Sequence, residues 1–176
     1  SLIVHEMCHS LVARATGMPV AGITLFIFGG VSELEDEPRT PWREFVMAIV
    51  GPLSSFLIGL GLMAAWFAGG FADWPAAVQA LLKYLWIINL ALAAFNSLPA
   101  FPLDGGRVLR SVVWTITQDL TLATRIAAKV GSVFGILLIL LGAFIVLNSP
   151  GIPLGGIWFV IIGFFVATLA LAVFVP

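Results

Sequence analysis

The sequence predicts an all-α, multi-pass membrane protein: a bundle of about five transmembrane helices with a short re-entrant β-hairpin after the first. Three observations predict it. The 176-residue chain is 61% hydrophobic and only 10% charged. Its mean hydropathy of +1.13 is well above that of a water-soluble domain of this length. Spanning a bilayer takes about 20 predominantly apolar residues, and charge is absent over residues 45–68, 84–103 and 130–176. The last run is long enough for two passes, divided by the turn-forming "NSPGIPLGG" at 148–156. Eight basic and nine acidic residues leave a net charge of -1, which excludes a nucleic-acid surface.

Each element follows in order. Residues 1 to about 16 read as one helix, stopped at "RATGMP" by Gly17 and Pro19. The next stretch, "AGITLFIFGGVSELEDEP", is too short and too glycine-interrupted to span, and suits two short strands. Ile23, Leu25 and Ile27 alternate with Thr24, Phe26 and Phe28, so a strand here is apolar on both faces. That suits a segment wedged between helices at membrane depth, where protein or a cavity satisfies its backbone. A plain hairpin in cytosolic water is the alternative, and this stretch does not separate the two. A helix over 44–68 follows, with Gly51, Ser55 and Gly59 recurring every four residues as a stripe for close helix packing. The link "GGFADWPAA" leads to a helix over about 76–97, which Pro99 and Pro102 break. After "LDGG" comes the amphipathic "RVLRSVVWTIT". Helices over about 122–147 and 155–175 complete the set, and Gly131 with Gly135 makes a GxxxG that marks packing. Residues 1–176 read as a single transmembrane domain, and as part of a longer protein, since only "SLIV" precedes the first histidine.

Basic residues orient such a chain. With the passes alternating sides, Arg14, Arg39, Arg43, Arg107, Arg110, Arg125 and Lys129 fall on one face. Only Lys83 lies toward the other, and it can snorkel from within its helix. The basic face is therefore cytoplasmic, with the links 69–75 and 148–156 outside.

Chemistry concentrates at "HEMCH", residues 5–9, which holds both histidines of the chain with Glu6 between them. On a helix, His5 and His9 are one turn apart and point the same way. Two imidazoles so placed can take adjacent corners of a tetrahedral zinc site, with Glu6 beside them as general base. HExxH by itself also occurs by chance, and two satisfied core histidines are the plain alternative. Inside a membrane segment, however, an ionisable side chain is costly and marks a functional site. Cys8, the single cysteine, excludes an internal disulfide and reads as a small apolar filler rather than a ligand.

A third ligand must come from Asp73, Asp104, Asp119, the acidic 33–37 run or Glu44. Most of these lie in links or at helix ends, where a solvated charge is the ordinary reading. Asp104 follows a long apolar helix in "FNSLPAFPLDGG", where two prolines free the backbone and two glycines allow a tight approach. Asp104 is the expected third ligand, which leaves the fourth position for water, the arrangement of a catalytic zinc. A membrane metal transporter is expected to repeat such groups along a path, and here they cluster once. A catalytically inactive membrane scaffold is expected to lose Glu6, and Glu6 is present.

HEMCH followed about a hundred residues later by "NSLPAFPLDGG" resembles the site-2 proteases, zinc metalloproteases that cleave within or next to transmembrane helices. "FGGVSELEDEP" resembles the re-entrant hairpin of the archaeal and bacterial branch that often carries CBS domains, and "EFVMAIVGPLSS" that branch's third transmembrane helix. The resemblance implies one zinc per chain on His5, His9 and Asp104, with Glu6 as catalytic base. It further suggests Asn96 as a polar group steadying the oxyanion. Ser97 and Leu98 depart from many relatives between Asn96 and Pro99. The implied partners are a transmembrane protein substrate and the lipid bilayer of a prokaryotic cell membrane, with the active site toward the cytoplasm. A homodimer is left open.

Overall fold

The computed structural model describes residues 2–17, 20–26, 29–34, 38, 40–148 and 153–172. The chain forms two compact units, Ser1–Ser97 and Leu98–Pro176.

In the first unit, helix α1 runs Leu2–Ala15. Its buried residues, His5, Glu6, His9, Ser10 and Ala13, recur at helical spacing and form one face. The helix stops where Gly17 takes a φ of 79°, a left-handed turn that glycine enters without steric cost. Before it, the Thr16 hydroxyl lies 2.9 Å from the carbonyls of both Val12 and Ala13, a shared bond added to the one the Thr16 N–H makes to the same two oxygens. Strands β1 (Val20–Phe26) and β2 (Gly29–Leu34) follow and pair antiparallel, Thr24 opposite Val31.

Helix α2 (Pro41–Phe71) begins with proline at its first position, and the Thr40 side chain caps it by accepting from the Arg43 N–H. It turns back through 72–75 into α3 (Ala76–Asn96). A Cβ at Gly59 would run into the Leu90 side chain, and one at Gly69 into Trp74 and Gln79. Glycine at these two points lets the α2–α3 hairpin close. Ala13 packs on Met47, and α1 lies along α2 in the opposite sense.

The second unit starts with α4 (Asp104–Thr117), then α5 (Leu120–Asn148) and α6 (Pro153–Ala172). Helices α5 and α6 touch backbone to backbone. A Cβ at Gly135 would meet the backbone of Gly163 and Ala167, and one at Gly142 that of Gly156 and Val160. The GxxxG of α5 is thus divided, because Gly131 faces the backbone of Phe101 rather than α6.

Four helices, α2, α3, α5 and α6, are long and apolar enough to cross a membrane. Leu57, Leu81, Tyr84, Leu140 and Phe164 stand on their outer faces, exposed. That arrangement suits hydrocarbon, where apolar side chains need no cover. Together with the family membership established below, it makes this an integral membrane protein.

The fold departs from the sequence expectation at two points. Among the described residues there are six helices, of which four are candidate spans, rather than about five. The remaining predicted span, α1, is not one of these four among the described residues. The re-entrant hairpin is also not seen. Strands β1 and β2 pair with each other and pack against α1. Apolar alternation had suggested membrane depth, but it measures hydrophobicity and not position. Gly29 and Gly30, expected to let the chain reverse, lie in β2 opposite Phe26 and Leu25, and Ile27 and Phe28 lie outside the described residues.

Candidate functional site

Helix periodicity puts His5 and His9 on the buried face of α1, 2% and 7% exposed. Each ring is then held by α2 through its Nδ1 atom. His9 Nδ1 lies 2.6 Å from the Met47 carbonyl oxygen, which can only accept. His9 therefore carries a proton on Nδ1 and presents a lone pair at Nε2. His5 Nδ1 lies 3.0 Å from Ser55 Oγ. The two Nε2 atoms face each other at 3.2 Å, with the rings edge to face. For a tetrahedral site with bonds of about 2.0–2.1 Å, two nitrogen ligands stand about 3.3–3.4 Å apart. The observed separation allows both nitrogens to reach one small cation, and it is also that of a hydrogen bond between the two rings.

Room for the pair comes from Gly51. A Cβ there would sit inside 3.0 Å of both Nε2 atoms and of His9 Cε1. The stripe of Gly51, Ser55 and Gly59 thus divides its work. Gly51 and Ser55 serve the imidazoles, and Gly59 serves packing against α3. Glu6, between the histidines in sequence, is 7% exposed on the same helix face.

Asp104 opens α4 as its first helical residue, half-buried. A carboxylate there meets the positive end of the helix dipole favourably. The turn before it is tight. A Cβ at Gly106 would strike the backbone of Ala100 and Phe101, so this glycine of LDGG allows α4 to start directly on the 98–103 loop. Asn96 ends α3, and its Nδ2 donates to the Leu92 carbonyl at 3.0 Å, turned back on its own helix. Cys8 is a free thiol, half-buried.

Three parts of the site went unread in the sequence: the Met47 carbonyl, Gly51 and Ser55. A backbone carbonyl leaves no sequence signal. Gly51 and Ser55 did leave one, the four-residue stripe, but it has the same form as a helix-packing motif.

The chain matches the family model described as Peptidase family M50 over residues 1–71 and 69–141. It is 46% identical over 165 residues to protein sll0528 of Synechocystis sp., covering 94% of this chain and 42% of that protein. Zinc metalloprotease MJ0392 of Methanocaldococcus jannaschii is 36% identical over 142 residues, 81% of this chain and 40% of that one. The chain therefore spans less than half the length of these curated relatives. Among solved structures it resembles the site-2 protease from Methanocaldococcus jannaschii, with a TM-score of 0.71 and 30% identity, over 96% of this chain and 71% of that one.

Proposed function

The chain belongs to peptidase family M50, and from that premise we propose that it is the core of an intramembrane zinc metalloprotease, hydrolysing peptide bonds within or next to transmembrane segments of membrane proteins. The observation that carries this reading is the histidine pair: two Nε2 atoms 3.2 Å apart, buried, with both Nδ1 atoms engaged by α2. His5, His9 and Asp104 offer two imidazoles and a carboxylate, the donor set of a catalytic zinc that keeps an open position. One zinc per chain is the proposed stoichiometry. Bound zinc supplies a Lewis acid that polarises the scissile carbonyl and makes water nucleophilic near neutral pH.

The chain's own residues do the rest. Glu6 takes the proton of the attacking water as general base and returns it to the leaving amine. Its burial keeps the carboxylate out of bulk water and within the helix face that carries the histidines. Asn96 is the proposed donor to the oxyanion, using the N–H that its bond to Leu92 leaves over. A substrate helix must unwind locally, because a carbonyl held in a helical hydrogen bond is not open to attack.

The test pairs composition with activity on the purified full-length protein. About one zinc per chain is expected, with cleavage of a model transmembrane substrate, and both should be lost in the His5→Ala, His9→Ala double variant. Stoichiometric zinc in that variant would sink the assignment.

The proposed setting is a prokaryotic cell membrane, with the active site toward the cytoplasm. The split of basic residues, seven against Lys83 alone, supports that orientation. In a Cys8→Ser background, Ala72→Cys is expected to react with an impermeant thiol reagent added outside intact cells, and Thr117→Cys only after lysis. The reverse pattern inverts the topology.

A further inference from the structure

His5 and Ser55 are fifty residues apart in sequence, yet the ring and hydroxyl meet at 3.0 Å in a buried setting. Ser55 is 0% exposed and His5 2%, so bulk water cannot stand in for either partner. The rest of the geometry defines what the hydroxyl has to do. His9 Nδ1 is bonded to a carbonyl oxygen and must donate, so its Nε2 is a lone pair. His5 Nε2 lies 3.2 Å from that lone pair, and His5 then has two tautomers available. With its proton on Nε2 it donates to His9, and its Nδ1 must accept. With its proton on Nδ1 it turns a second lone pair toward a cation, and its Nδ1 must donate. A backbone carbonyl would permit only the second state. A hydroxyl serves both, because it accepts or donates by rotating about its C–O bond.

We propose that Ser55 is a positioning residue for His5. Its hydroxyl accepts the Nδ1–H of His5 in the tautomer that aims both Nε2 lone pairs at zinc, and donates to Nδ1 in the metal-free tautomer. His9, by contrast, is locked in its ligand tautomer by Met47 at all times. The proposal rests on the zinc reading above and adds a specific role for one side chain of α2.

The experiment measures zinc affinity of the full-length protein by competition with a chelator. The absorption of the cobalt-substituted protein reports ligand geometry, and thermal unfolding of the metal-free protein reports folding. Ser55→Ala is expected to weaken zinc binding 10–100-fold, the usual cost of losing a partner behind a metal-ligating histidine. It should also alter the cobalt spectrum, while the metal-free protein still unfolds cooperatively, at a somewhat lower temperature. Ser55→Thr keeps the hydroxyl and is expected to restore most of the affinity. Ser54→Ala, whose hydroxyl bonds the Gly51 carbonyl of its own helix at 2.7 Å, should bind zinc like wild type. Wild-type affinity in Ser55→Ala, or a loss that Ser55→Thr does not restore, overturns the proposal and leaves Ser55 as packing. His5→Ala separates the two readings. If it keeps zinc, the zinc site itself is wrong. If it loses zinc while Ser55→Ala does not, only the role of Ser55 fails.

Discussion

Glu6→Gln is expected to retain zinc at the wild-type level while lowering kcat on a transmembrane substrate by about 10²–10⁴-fold, the contribution a positioned general base makes. Glutamine keeps the volume and the hydrogen-bonding oxygen of the glutamate but cannot take a proton. Residue 6 is one position past His5, so on the helix its side chain is turned about 100° from His5 and about 60° from His9, toward the edge of the buried face. A group so placed serves the reacting water better than the metal. The measurement is turnover of purified protein alongside elemental analysis. Full activity would remove Glu6 from the mechanism, and parallel loss of zinc would make it a ligand instead.

Gly51→Ala is the second change with a large expected effect, and it arises only from the packing of α1 on α2. The added methyl would fall inside 3.0 Å of both Nε2 atoms, a distance that real Cβ atoms do not show. One or both rings must move, and the bonds to Met47 and Ser55 leave them little freedom to do so. Zinc affinity is expected to drop at least as far as for a lost outer-shell partner, about 100-fold, and proteolysis with it. Gly59→Ala is the matched control. Its methyl would press on the Leu90 side chain, so it should lower thermal stability with zinc affinity preserved. Full zinc binding by Gly51→Ala would show that the rings reorganise freely. Equal zinc loss in both variants would reduce the whole stripe to helix packing.

These variants separate features that look alike in the sequence. Gly51, Ser55 and Gly59 share one spacing, one helix and one small-residue character, and nothing local marks which neighbour each will face. The histidine pair was different. His5 and His9 lie one turn apart, and the 3.6-residue period alone puts them on a common face with Glu6 nearby. The long apolar runs were legible for a similar reason, since span length follows from a count of residues against bilayer thickness. LDGG was legible as a tight turn, though not that Gly106 is required by the backbone of Ala100 and Phe101.

What one helix can decide alone was therefore written in the sequence: two imidazoles and a carboxylate on α1, and the long apolar runs that became α2, α3, α5 and α6. The tertiary structure decided what those groups meet. It set the Met47 carbonyl against His9 and the Ser55 hydroxyl against His5 from 38 and 50 residues away, and so chose the ring atoms that face each other. It also packed the strand pair beside α1, where composition had suggested a re-entrant hairpin. The physical reason is range. Periodicity and hydropathy are sums over neighbours in the chain, whereas tautomer, ring orientation and depth are set by atoms that only folding brings within 3 Å or so of one another.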